Sequence, residues 1–177
     1  CNKPHSLITS KYNERRAETE QALEILKKYV DVTCLAEVTP SMFEQYKQYL
    51  SEPVRDRAEH VVYECYRVEQ AVEAMKSGDI VRLGQLLNAS HASLRDKYQV
   101  TGDELDALAE AAQSHPACLG SRMTGAGFGG CTISIVERSA VDDFKQKVST
   151  AYTQKIGYQP TFYQADIADG IVVEKLQ

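Results

Sequence analysis

The residues best placed to do chemistry lie in the run Gly125-Ala126-Gly127-Phe128-Gly129-Gly130. Glycines accept positive φ without steric cost and let backbone N–H groups come close to a partner. They also lose more entropy on folding than alanine, so a loop this rich in them argues that backbone must approach something closely. Gly125-x-Gly127-x-x-Gly130 matches the dinucleotide-binding pattern letter for letter. That pattern must run from a strand into a helix, so that the helix N-terminus meets the pyrophosphate. Here a β-branched run, Cys131 to Val136, follows instead and reads as a strand. No Gly-Lys-Ser/Thr is present, which excludes a Walker loop. A protein-kinase glycine loop does lie between strands, but Val-Ala-Ile-Lys, His-Arg-Asp and Asp-Phe-Gly are all missing. On the residues alone two readings stay open: a ligand or active-site loop, and a tight structural turn.

Other polar residues have plainer explanations. His91 falls on the apolar side of a helical pattern near Asn88 and Ser90, which reads as a satisfied interior histidine. His5, His60 and His115 lack metal-ligand spacing. Asp103, Asp106, Asp142 and Asp143 sit near expected helix starts, where the helix dipole favours them. Arg15 and Arg16 are candidate phosphate ligands, but an exposed helix face paired to Glu18 and Glu20 accounts for them. The five cysteines are odd in number and widely spread, without a C-x-x-C pair. They read as reduced, buried or half-buried small hydrophobes.

These residues need elements to hold them. Ser10 is expected to cap a helix running to about Val30, with Ala22, Leu23, Leu26 and Val30 on one side. Thr39-Pro40 opens a short helix to about Leu50. Pro53 starts and Gly78 stops a long one, whose stripe is Val54, Ala58, Val61, Val62, Cys65, Val68, Val72 and Met75. Asp79 caps the next, with Ile80, Leu83, Leu87, His91 and Leu94 inward. Thr101 and Glu104 form a capping box for a helix carrying Leu105, Leu108 and Ala112. A final helix spans Ala140 to Ile156 and stops at Gly157, and strands cover Thr161 to Ala165 and Gly170 to Glu174. The simplest reading is one α+β unit over residues 1–177, an antiparallel β-sheet packed against several α-helices.

The chain has 177 residues, 43% of them hydrophobic and 25% charged, the balance of a globular protein. Trp is absent, so the core must be mainly aliphatic. The net charge of −5 argues against a nucleic-acid footprint. The longest uncharged stretch, Met123 to Val136, is glycine-rich and shorter than the roughly 20 apolar residues a membrane span needs. No secretory signal is expected, and the opening Cys-Asn-Lys-Pro, without Met, reads as the start of a fragment.

The run Gly120-Ser121-Arg122-Met123-Thr124 through Gly125–Gly130 to Cys131-Thr132 closely resembles the third signature motif of galactokinases, in the GHMP kinase superfamily. Asn2-x-x-His5-Ser6-Leu7 with Ser10-Lys11-Tyr12-Asn13-x-Arg15-Arg16 and Glu20 is similar to the segment that opens their C-terminal half. Leu87-Asn88-x-Ser90-His91-x-Ser93-Leu94-Arg95, Thr101-Gly102-x-Glu104-Leu105-Asp106 and Ala168-Asp169-Gly170 also resemble the family. The sugar motif Arg-Thr/Glu-His-x-Asp-Tyr, the phosphate loop Pro-x-Gly-x-Gly-Leu-Ser-Ser and the segment bearing the proposed Asp base are not in the chain.

The resemblance implies the C-terminal domain of an ATP-dependent sugar 1-kinase, with a ferredoxin-like sandwich fold. The whole enzyme would be cytoplasmic and would transfer the γ-phosphoryl of ATP to the anomeric hydroxyl of galactose. It implies sugar contact by Tyr12, whose phenol offers a donor, an acceptor and an aromatic face for pyranose C–H groups. Gly125, Gly127, Gly129 and Gly130 would line the cleft between the halves. ATP and Mg²⁺ would be held mainly by the other half, so no catalytic residue, metal site or cofactor is expected here, and the chain alone is expected to be inactive. Its exposed inter-domain face is expected to promote self-association. Two related readings remain: another GHMP sugar kinase, and a galactose-sensing module derived from a kinase.

Overall fold

The computed structural model describes residues 1–2 and 8–166. Within them lie helices α1 (Ile8–Leu26), α2 (Pro40–Tyr46), α3 (Val54–Ser77), α4 (Ile80–Ser93), α5 (Asp103–Gln113) and α6 (Val141–Ile156). Strands β1 (Cys118–Thr124) and β2 (Cys131–Val136) form an antiparallel hairpin whose connection is the glycine run. The fold class is therefore α+β, as the sequence pattern implies. No helix among the described residues is long and apolar enough to cross a membrane.

Several boundaries follow from local chemistry. The Thr39 side chain accepts a hydrogen bond from Met42 N, with Pro40 at the first helical position. Asp79 does the same for Arg82 N at the start of α4. Gly78 and Gly157 end α3 and α6 with φ of +71° and +96°, the left-handed conformation that suits glycine. Two starts differ from expectation. α1 begins at Ile8, so Ser10 lies inside its first turn rather than capping it. α5 begins after Gly102, whose φ of +103° turns the chain; Thr101 lies outside the helix, 4% exposed, so the capping box does not form.

Two apolar clusters make the core. One joins α1, α2 and α3 through Ala22, Leu26, Phe43, Ala58 and Val62. The other joins α5, α6 and the hairpin through Leu105, Leu108, Met123, Val148 and Tyr152. The α3 stripe is interior only in its first half. Val68 and Met75 are 57% and 58% exposed although Ala74 is buried, so only one side of the second half of α3 is covered. Cys34 and Cys131 are exposed and the other three thiols buried or half-buried, so the cysteines are not uniformly interior. Thr161 to Ala165 forms no strand: Asn2 Nδ2 donates to Gln159 O and Thr161 Oγ1, and Phe162 packs on the core without joining a ladder. The expected strand Gly170 to Glu174 lies outside the described residues, as does His5.

The hairpin is fixed by α4. Ser121 N donates to Asn88 Oδ1 at 2.8 Å, and Met123 N donates to His91 Nδ1 at 3.1 Å. α5 adds Gln113 Nε2, which donates to Ser121 O at 2.8 Å. Side chains thus satisfy the β1 edge that β2 does not reach. Gly84 makes the close approach possible. A Cβ there would sit 2.1 Å from Leu119 O, and one on Gly120 would sit 2.1 Å from Gly84 O. Gly84→Ala is therefore expected to lower stability by about 1–3 kcal/mol, the usual cost of overpacking. Urea denaturation measures this, and an unchanged midpoint would contradict the contact.

Candidate functional site

Tyr12 and the glycine run reach one surface through separate elements. Tyr12 stands in the first turns of α1, 52% exposed. Its neighbour Lys11 holds Nζ over the Phe128 ring, 5.6 Å from the centroid. The run is held from below: Phe128 N donates to Val100 O at 2.7 Å. Gly125, Gly127, Gly129 and Gly130 have φ of +90°, +84°, +131° and +103°, and Phe128 has +58°. The loop is half open: Thr124, Gly125 and Ala126 are exposed, whereas Gly127 and Gly129 are buried.

Under this surface lies a charged junction that the sequence reading missed. Arg57 is 3% exposed. Its Nε donates to Glu18 of α1 at 2.9 Å, its second nitrogen to Lys97 O, and its third to Gln99 Oε1 at 2.8 Å. Glu18 also accepts from Arg15. Arg15 is buried at 8%, contrary to the exposed-face expectation, because Glu18 meets it on the side facing α3. Arg16 does behave as expected, paired with Glu20 on an exposed face where solvent screens the pair. Lys97 and Gln99 belong to a π-helical turn, Leu94–Tyr98, and the left-handed residue that ends it. Tyr98 in that turn stacks on His60 with ring centroids 4.5 Å apart. Burial pushes its phenol up, Tyr12 adds to the shift, and Arg15 opposes it, so these groups lie within electrostatic reach of one another.

The two buried histidines are structural. His91 is 1% exposed, accepts at Nδ1, and places Nε2 3.3 Å from Asp106 Oδ1, a contact without hydrogen-bond alignment. Burial lowers its pKa. His60 Nδ1 lies 2.9 Å from Ser93 Oγ, and burial pushes its pKa down to about 4. Among the described residues no cluster of His, Cys, Asp or Glu could hold a metal ion. A cavity of about 500 Å³ opens between β2, α6 and residues 161–166, walled by Ile133, Val136, Phe144 and Phe162. Neither Tyr12 nor any glycine of the run borders it, so it is a separate feature.

Residues 71–154, within the α+β fold, match the family model for GHMP kinases, C terminal. The chain is 50% identical over 170 residues to the galactokinase of Clostridium acetobutylicum, covering 96% of this chain and 44% of that protein. It is 48% identical over 173 residues to the galactokinase of Ligilactobacillus salivarius, covering 97% and 45%. The crystal structure of Lactococcus lactis galactokinase complexed with galactose superposes with a TM-score of 0.89 at 46% identity, over 92% of this chain and 42% of that one. The chain is thus homologous to the C-terminal part of galactokinases and spans less than half the length of these relatives.

One exposed and one buried loop glycine give a contrast. Gly125→Ala meets no atom within 4 Å, so only the backbone angle opposes it, about 1–2 kcal/mol. At Gly127 a Cβ would also lie 2.1 Å from Val100 O, so Gly127→Ala is expected to cost about 1–3 kcal/mol more. Equal denaturation midpoints for the two variants would contradict the packing of the loop on Val100. Acidity gives a second check. Both buried histidines titrate below their ordinary 6.5, so below that pH the unfolded chain binds more protons. The stabilisation from His60 is complete above 6.5 and is lost as pH falls toward about 4, and that from His91 declines in the same direction. Between these pH values the denaturation midpoint is expected to fall less in His60→Gln, which keeps His91, than in the parent chain; equal falls in both would refute the part of His60.

Proposed function

We propose that the chain is the C-terminal part of a galactokinase and supplies one wall of its sugar site. The observation supporting this most directly is the meeting of Tyr12's helix with the glycine run across the Lys11–Phe128 contact. Both stretches are among those whose motifs resemble the family, and both lie within the aligned length. In the reaction, the anomeric oxygen of galactose attacks the γ-phosphorus of ATP. A new O–P bond forms, the bond to the β-phosphate oxygen breaks, ADP leaves, and the hydroxyl proton passes to a base.

Such transfers depend on positioning and charge stabilisation. This chain's share is positioning. The Tyr12 hydroxyl hydrogen-bonds a sugar hydroxyl, and its ring packs on the pyranose C–H face. The glycine run adds a wall without side chains, against which the second half of the enzyme closes. ATP and Mg²⁺ are assigned to the remainder of the protein, because the sequence lacks the phosphate loop of the family it resembles. The base is assigned there too. An ATP-consuming sugar kinase of this kind works in the cytoplasm.

In the full-length protein, Tyr12→Phe is expected to raise the KM for galactose roughly 2- to 12-fold, the loss of one hydrogen bond of about 0.5–1.5 kcal/mol. The 177-residue chain alone is expected to show no ATP-dependent phosphorylation of galactose. An unchanged KM in the first experiment, or turnover in the second, would overturn the reading.

A further inference from the structure

Arg57 touches neither Tyr12 nor the glycine run, yet both are mounted on what it holds. Tyr12, Arg15 and Glu18 follow one another at i, i+3 and i+6 along α1. Glu18, at the far end of that row, accepts from Arg57 Nε. The other two Arg57 nitrogens donate to Lys97 O and Gln99 Oε1. The next residue, Val100, accepts from Phe128 N and supports Gly127 at a distance that only glycine tolerates. A single guanidinium therefore ties the helix that carries Tyr12 to the segment on which the glycine run rests.

We propose that Arg57 is a positioning residue: it sets the distance between Tyr12 and the glycine run, and so the fit of the sugar against both. This rests on the reading of the chain as a galactokinase part. The chemistry suits the task. A guanidinium is planar and permanently charged and donates in several fixed directions, so each of its three partners holds the other two in place. The junction is also almost dry, with Glu18 and Arg57 side chains 14% and 3% exposed, which limits screening and lets the geometry persist. A lysine keeps the charge but reaches one partner at a time. Glu18→Gln keeps the shape of the α1 partner and removes its charge. Neither change touches a group that contacts the sugar.

The test is a double-mutant cycle in the full-length protein, read as KM for galactose and kcat. Arg57→Lys and Glu18→Gln are each expected to raise KM several-fold with a smaller change in kcat. In a Tyr12→Phe background each is expected to add less than about two-fold, because its effect passes through the lost hydroxyl; residues that share a function couple rather than add. A merely structural role would lower the denaturation midpoint and leave the KM effects multiplicative. Multiplicative effects, or an unchanged KM in both variants, overturn the proposal while leaving the galactokinase reading intact. If Tyr12→Phe itself leaves KM unchanged, both fall. If Arg57→Lys does not fold, Glu18→Gln decides the matter by the same comparison.

Discussion

Gly84 of α4 and Gly120 of β1 meet backbone to backbone, and the placement of the hairpin depends on that contact. With a side chain at either position the helix would have to stand off the strand. Asn88 and His91 would then fall short of Ser121 N and Met123 N. Each buried N–H left without an acceptor costs about 1–3 kcal/mol, comparable to a large share of the stability of a domain this size. The strand edge that β2 leaves open is in this way closed by side chains of a helix, not by a third strand. Burial keeps His91 neutral, and a neutral ring is what allows Nδ1 to accept.

The candidate site is a surface built from two sides. α1 brings Lys11 and Tyr12; the hairpin brings Phe128 and the glycines. Each rests on the segment 94–100, the glycines through Val100 and α1 through Glu18, Arg57 and Gln99. Two buried cations and one half-buried carboxylate would be unfavourable alone, but backbone and amide oxygens share the donors of Arg57. The surface presents an exposed phenol beside a loop whose backbone carries few side chains. That fits one half of a two-part cleft.

Much of the scaffold was legible in the residues. Thr39-Pro40, Asp79, Gly78 and Gly157 mark helix ends by local chemistry that needs no tertiary partner. β2 was legible from its β-branched run, and the glycine run as the connection that precedes it. What escaped was set by distant contacts. Arg15 and Arg57 look like surface charges until α1 and α3 are brought together around Glu18. Thr101 and Glu104 have capping-box spacing, but Gly102 at φ +103° takes the turn first. Val68 and Met75 continue the α3 stripe in sequence but fall on an exposed side of the helix. Asn88 and His91 lie on the buried side of α4, where an apolar count hides their role as acceptors. Tyr12 and the glycine run were singled out by resemblance; their meeting through Lys11 and Phe128 is visible only in three dimensions.

A crystal structure of the full-length protein with galactose bound is the most direct test of the account. It should place the Tyr12 hydroxyl about 3 Å from a sugar hydroxyl, with the backbone of 125–130 facing the same cleft. A sugar bound elsewhere, with Tyr12 and the glycine run both facing away from it, would contradict the claim that these two elements form one wall of its site.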